Sequence, residues 1–561
     1  MFELPIKPGV HAFDHFCAHL DRMLEANTSK EFAELANGAV SYETLTRDMR
    51  RLGAAFAEVG LGTGDRVLVA SKDEGATVKL FLALLRAGMT PVIGDAEITG
   101  PELGELIDVC DPAALYADEA MLATASLGSK LPQSRIIPIS DIHDVLSNGR
   151  DPGGWPAIEA RPDVALLVLT SGTTSTPKAV ELTHENLIAQ LAIFEDIYGF
   201  DSATRLLNLL PLHHVDGLIR GPLVALWFGG HLYRQTPFSV QNVPAILKEF
   251  GEKNITHFIT VPAMLRIVAR IGSDARETFI RPDFRFILCS ADLLDAALWR
   301  HVEETFNVPV VNAYGLSEVV CDALFAGPDN ASRRIGSLGR PHGCTAAILD
   351  DDFRPVPEGE AGELVLSGPT VMRGYFNAPE LTATVIRNGS FHTGDYARVG
   401  PDGLYDFVGR KKTAIVSAGA TIHPESVTIV LTTMPGVAEA VAFGVPDAAR
   451  GEKLVAAIAP QPGHEITAAD AFAFCRKHLS AERTPAEFRI MASLPRGASG
   501  KVLMAELTAG TAAAPAGLAE EQASFTEESG SLEEKVCMVA AKCFNVDAAG
   551  LSAESTPFNT D

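Results

Sequence analysis

VALLVLTSGTTSTPKAVELTHENL, residues 164–187, is the stretch on which the fold turns. It opens on a short apolar run, which suits a strand buried on both faces. Thr170, Ser171, Gly172, Thr173, Thr174, Ser175 and Thr176 follow without a break, then Pro177 and Lys178. Small hydroxyl residues and a glycine let backbone N–H groups approach an anion, and Lys178 adds a point charge. The spacing is not GxxxxGK[ST], so this is not a Walker loop. AVELT reads as a second strand, and Thr183 is placed to cap a helix starting at His184. Taken by composition alone, the same stretch also suits an ordinary Ser/Thr-rich turn.

Around this segment the chain alternates strand and helix. Leu45, Met49, Leu52, Ala55, Phe56 and Val59 fall at helical spacing, DRVLVAS reads as a buried strand, and Gly75 to Ala87 reads as a second helix. The pattern recurs at 164–192, 207–235, 257–270 and 284–314, which predicts a large, mostly parallel α/β region over residues 1–409. Residues 410–508 read as a smaller α+β unit, with strands AVAFGVP and KLVAAIAP and the helix AADAFAFCRKHL. The Ala/Gly/Ser/Glu-rich stretch 509–529 reads as a linker. Residues 530–561 begin with an amphipathic helix that carries Leu532, Val536, Val539, Cys543 and Val546 on one face. A segment that short does not make a core alone.

Composition narrows the partners. The 561 residues hold 46 basic and 71 acidic side chains, a net charge of −25. Such a chain repels phosphate backbones, so nucleic acid is not expected as a partner. Eight scattered cysteines without a CxxC pair read as reduced core thiols and fit a cytoplasmic protein. The start, MFELPIKPGVHAFDHF, has no signal-peptide pattern, and no apolar run is long enough for a membrane span.

TSGTTSTPKAV resembles the phosphate loop of the adenylate-forming superfamily, which includes acyl-CoA synthetases, nonribosomal peptide synthetase adenylation domains and luciferase. Ser175 and Ala179 stand where that loop has glycines. Later segments resemble the family's motifs in its order. In NAYGLSEVV, 312–320, the resemblance assigns Asn312, Ala313, Tyr314, Gly315 and Ser317 to the nucleotide, with the Tyr314 ring on adenine, and Glu318 to Mg²⁺. In FHTGDYARVGPDGLYDFVGRKK, 391–412, it gives Asp395 the ribose hydroxyls, Arg410 the ribose and phosphate, Phe407 the second adenine face and Lys412 the hinge. A buried Asp395–Arg410 ion pair is the plainer reading. In IVSAGATIHPESV, Gly419 resembles a glycine beside the pantetheine tunnel. In LPRGASGK, Lys501 resembles the catalytic lysine carried by a mobile lid. GSLGRP and GELVLSGPTVMRGYFN match structural segments, to which no chemistry is assigned.

The resemblance implies ATP-dependent adenylation of a carboxylic acid, then transfer of the acyl group to a thiol. Substrate signals are weaker. His214 in LLPLHHVDGLIRG falls at the gating aromatic, and Val215 stands where domains that activate α-amino acids carry Asp. Asp216 reads equally as a substrate contact or a helix cap. Ser290 and Ala291 in CSADLL fall beside the pocket, although Asp292 replaces a usual proline. SLEEKVCMVAAKCFNVDAAGLSAESTPFNTD, 531–561, resembles the start of a carrier domain whose phosphopantetheine serine would come next. The expectation is therefore an adenylation module that loads a carrier in cis, with further domains downstream. A stand-alone ligase using free CoA is the alternative, and a non-catalytic nucleotide-binding scaffold a third reading.

Overall fold

The structure is a computed structural model that describes residues 4–125, 127, 130–158, 160–170, 177–272, 276–417, 420–447, 451–496 and 502–508. It has a large N-terminal domain and a smaller C-terminal domain, of mixed α/β class.

The strand expected at the start of the quoted segment spans Val164–Thr170 and pairs antiparallel with Lys178–Thr183. Thr170 lies opposite Lys178 in the register. Thr183 caps the helix His184–Tyr198, its hydroxyl accepting from the Asn186 backbone while Asn186 reciprocates. That helix is buried along most of its length, with Leu187, Ile188, Leu191, Ile193 and Phe194 in the core.

The hairpin belongs to a seven-stranded sheet, with the parallel strands Arg66–Ala70, Thr90–Ile93, Ala114–Ala117 and Ile136–Pro138 to one side and the short strand Gly374–Tyr375 added antiparallel at its edge. A nine-stranded sheet has a parallel centre built from Arg205–Asn208, His231–Arg234, His257–Thr260, Phe286–Cys289 and Val310–Tyr314. Ligand sites in such sheets gather at the carboxyl ends of the strands, and the motif NAYGLSEVV begins on the last of these. A third, antiparallel sheet ends with Ser390–Val399 paired to Tyr405–Arg410.

Beyond Arg410 a separate sheet begins with Ile415–Ser417. Its long hairpin Val437–Asp447/Gly451–Pro460 packs on the helices Pro424–Thr432 and Ala468–His478 around Val427, Leu431, Ile458 and Cys475. The linker 509–529 and the segment 530–561 lie outside the described residues.

One stretch departs from simple periodicity. Residues 215–228 form Val215–Leu218, a π-turn Ile219–Leu223 holding Pro222, and Val224–Phe228. Single π-turns of this kind collect at functional sites. The six described cysteines are free thiols, five of them buried. No helix among the described residues is long and apolar enough to cross a membrane.

Candidate active site

The strand Val310–Tyr314 runs into Gly315, where a Cβ would lie 1.5 Å from the Cys321 carbonyl oxygen. Only glycine lets these two backbones meet. Between them stand the 3₁₀ turn Ser317–Val319 and then Val320 at φ 72° and ψ −72°, with the Cys321 N–H donating to the Val319 carbonyl at 3.0 Å. This γ-turn on a β-branched residue costs on the order of 1–3 kcal/mol. It separates Glu318 from Asp322, which engage different partners.

At one end, the Tyr314 hydroxyl donates to Asp395 Oδ2 at 2.7 Å, and Arg410 Nε lies 3.2 Å from Asp395 Oδ1. Asp395 and Arg410 face each other across paired strands. Burial raises the Asp395 carboxyl above its usual range, while Arg410 and the Tyr314 hydroxyl pull it down. The Arg410 side chain itself is half exposed. Asn312 is buried and its amide donates to the Ser337 carbonyl at 3.1 Å, so this donor already has a partner. Ala313 is buried beside it, and Phe407 is half-buried at the edge of the large core. Lys412 is exposed on the turn Lys411–Thr413 that leads to the small domain.

The second contact set was invisible in the sequence. The Tyr375 hydroxyl donates to Glu318 Oε1 at 2.8 Å, and Lys178 Nζ lies 5.2 Å from the centroid of the same ring. Tyr375 comes from RGYFN, in a structural segment to which the sequence assigns no chemistry. Strand addition places it opposite Val180, two residues from Lys178. No spacing signal links positions 178, 318 and 375, because the connection is made by sheet pairing. Among the described residues no cluster of three His, Cys, Asp or Glu side chains is placed to hold a metal. A lone carboxylate such as Glu318 nevertheless fits Mg²⁺, which keeps most of its waters and rides on substrate phosphates.

At the other end lies a cavity of ≈ 1370 Å³ between the two domains. His214, Asp216, Ser290 and Ala291 all line it, as do Gly315 and Ser317, and the small domain contributes Glu439 and Arg496. His214 is the N-cap residue of the helix Val215–Leu218, and its ring is 4.1 Å from that of His213. Asp216 is inside that helix and caps nothing. Its Oδ1 is instead 2.7 Å from Arg220 Nη1.

Arg220, which motif reading missed, is fully buried. Nη1 also donates to Ser290 Oγ at 2.6 Å, and Nη2 bonds Asp322 Oδ1. Asp322 Oδ2 in turn accepts from the Tyr198 hydroxyl at 2.8 Å. Desolvation raises the Asp322 carboxyl to about 6 in spite of the guanidinium beside it. The two aspartates hold the Arg220 proton more firmly than usual, against the effect of burial. The sequence holds only a faint signal for this cluster, the i,i+4 spacing of Asp216 and Arg220.

Of the remaining expected residues, Thr170 is the last residue of its strand. Ser171, Gly172, Thr173, Thr174, Gly419 and Lys501 lie outside the described residues.

Comparison with known proteins agrees with this geometry. Residues 22–376 match the family described as AMP-binding enzyme, and residues 428–501 match the AMP-binding enzyme C-terminal domain. Sulfoacetate–CoA ligase of Cupriavidus necator is 32% identical over 482 residues, covering 83% of this chain and 91% of that enzyme. Oxalate–CoA ligase of Arabidopsis thaliana is 32% identical, with 81% and 90% covered. Feruloyl-CoA synthase of an Amycolatopsis species is 30% identical, with 84% and 93% covered. In fold, the chain resembles ATP-bound MatB of Rhodopseudomonas palustris, with a TM-score of 0.79 over 89% of this chain and 99% of that one at 24% identity.

Proposed function

Because the chain belongs to the AMP-binding enzyme family and is an AMP-forming ligase, we propose that it adenylates a small carboxylic acid with ATP and transfers the acyl group to the thiol of free CoA. The observation that carries this reading is that two charge sets flank the end of the strand Val310–Tyr314: Asp395 with Arg410, and Glu318 with Lys178. The cavity opens directly beside them.

On this reading Asp395 accepts the two ribose hydroxyls, because a carboxylate takes two O–H bonds at once. Arg410, half exposed, exchanges one carboxylate oxygen for ribose and phosphate. Lys178 and the Ser171–Thr174 backbone meet the phosphates, while Tyr314, Phe407 and Asn312 frame the base. Glu318 would hold Mg²⁺, which supplies charge neutralisation at the phosphates. The substrate carboxylate enters past His214 and attacks the α-phosphorus in line, and pyrophosphate leaves. Lys501 steadies the charge that builds on the α-phosphate.

Residues 1–409 form the core that holds ATP, and residues 410–508 the lid that turns about Lys412. Once adenylation is complete, the turned lid admits the thiol past Gly419. The thiolate attacks the mixed anhydride, and AMP departs. The work is positioning and charge stabilisation, and the protein needs no nucleophile of its own.

A second reading rests on one observation, the resemblance of residues 531–561 to the start of a carrier domain, with 509–529 as its linker. There the acceptor is the phosphopantetheine thiol of a carrier. Supplying CoA or a separately phosphopantetheinylated carrier as acceptor, with AMP release as readout, decides between them. CoA-dependent AMP release supports the first reading, and release with the carrier alone supports the second.

A further inference from the structure

The strands Gly362–Ser367 and Ser390–Val399 pair antiparallel, and their register slips. Glu363 lies opposite Tyr396 while Val365 lies opposite His392, so the second strand carries extra residues between these two pairs. The excess is a bulge through Thr393, Gly394 and Asp395, with Gly394 at φ 71°. A bulge re-aims the side chains it carries, and this one carries the carboxylate that meets Tyr314 and Arg410. A bulge also takes backbone N–H groups off the ladder, so they need other acceptors. The Asp395 N–H donates to the Thr393 hydroxyl oxygen at 3.0 Å, and that hydroxyl donates to the Leu364 carbonyl at 2.7 Å. The Gly394 N–H donates to Glu363 Oε1 at 3.1 Å.

Glu363 is buried, on a strand that continues as Leu364, Val365 and Leu366. Taking a carboxylate out of water is costly unless partners meet it, and an apolar side chain would fill the place without that cost. The partners of Glu363 lead to the site. Oε1 holds the Gly394 N–H, one residue before Asp395. Oε2 lies 3.4 Å from His392 Nδ1 and 3.8 Å from Lys411 Nζ, one residue after Arg410. Asp395 and Arg410 stand opposite each other in the register, so one buried carboxylate braces the chain next to both.

We propose that Glu363 is a positioning residue for the nucleotide's ribose: by holding the Gly394 N–H it fixes the bulge that aims Asp395 at the ribose hydroxyls. The inference rests on the adenylation reading above and adds a residue which that reading does not use. Sites built to pair a substrate hydroxyl reject the analogue lacking it. A misaimed Asp395 therefore loses discrimination at the ribose, whereas a general loss of stability lowers activity with every nucleotide alike.

The test is acid-dependent pyrophosphate exchange by the full chain, run with ATP and with 2′-deoxy-ATP on the best acid of a panel. Wild type is expected to favour ATP by at least about tenfold in kcat/KM. Glu363→Met, which fills the place without a carboxylate, is expected to cut that preference by about fivefold, through the KM for nucleotide and with the KM for the acid kept. Glu363→Gln, which retains an acceptor oxygen, is expected to hold the preference within about twofold of wild type. An unchanged preference in a folded Glu363→Met would overturn the inference, even if both nucleotides react more slowly. So would a Glu363→Gln as indifferent as Glu363→Met. Should Glu363→Met not fold, Glu363→Asp draws the carboxylate back by one methylene, and an unchanged preference there would overturn the inference equally. A wild type indifferent to the 2′-hydroxyl would also overturn it, while leaving adenylation intact. No exchange with any acid would remove the adenylation reading and the inference together.

Discussion

The two ends of this site handle charge in opposite ways. At the end read here as the nucleotide site the cation is loosely held: the Arg410 side chain is 48% exposed over a buried Asp395, and Glu318 is held by a neutral phenol. At the acyl end the Arg220 and Asp322 side chains are each 1% exposed and bonded to each other. A ligand that brings its own charge and cation needs partners that can let go, and a half-exposed guanidinium can turn away to water. On the proposed reading, an organic acid brings a shape and a few hydrogen bonds, and meets a cavity whose wall is held by a buried charge set. The strained turn at Val320 joins these two regimes, with Glu318 on one side and Asp322 on the other.

Substitution should separate them. Arg220→Met leaves two buried carboxylates without their cation, and is expected to cost about 3–5 kcal/mol of unfolding free energy. Arg410→Met leaves the buried Asp395 with the Tyr314 hydroxyl still bonded to it, and is expected to cost less, about 1–3 kcal/mol, while raising the KM for ATP. Urea unfolding of the two variants measures both. Equal losses would erase the distinction between the ends.

Acidity sharpens it further. Asp322 is raised from its ordinary value to about 6, so the folded state binds its proton before the unfolded state does. Its contribution to stability is therefore fully present below about pH 4 and is lost as pH rises through about 6. The stability difference between wild type and Asp322→Asn is expected to shift by roughly 1–3 kcal/mol across that window, read by unfolding at a series of pH values. A flat difference would mean that Asp322 titrates normally.

A smaller effect is expected at the nucleotide end. Tyr375→Phe keeps the ring beneath Lys178 but removes the hydrogen bond to Glu318. The net loss is about 1 kcal/mol, or roughly fivefold in affinity for ATP with Mg²⁺ and little without it. Calorimetric titration with and without Mg²⁺ measures the split. A loss of the same size in both conditions would assign Tyr375 to packing alone.

The same contrast explains what could be read from the chain. Tyr314, Glu318, Asp395 and Arg410 lie in two short motifs, because strand ends and tight turns carry them, and such turns leave a local signature such as Gly315. The α/β alternation was legible for the same reason: each strand and helix has its own period. Arg220, Asp322 and Tyr375 were not legible. Arg220 meets Asp322 across 102 residues, and Tyr375 reaches Glu318 only because a two-residue strand adds to a sheet edge. Asp216 was readable as a polar residue in the right segment, but whether it capped a helix or faced a cation depended on a π-turn that periodicity does not announce.

On the proposed reading, an acid attacks ATP bound at the Asp395–Arg410 end, and Lys501 steadies the reacting phosphate. The most direct test is acid-dependent ATP–pyrophosphate exchange by wild type and Lys501→Ala, alongside ATP titration of each. The expected result is exchange in the wild type that needs the acid, lost by about 10²-fold or more in the variant with its affinity for ATP kept. Exchange by Lys501→Ala at the wild-type rate would contradict the account.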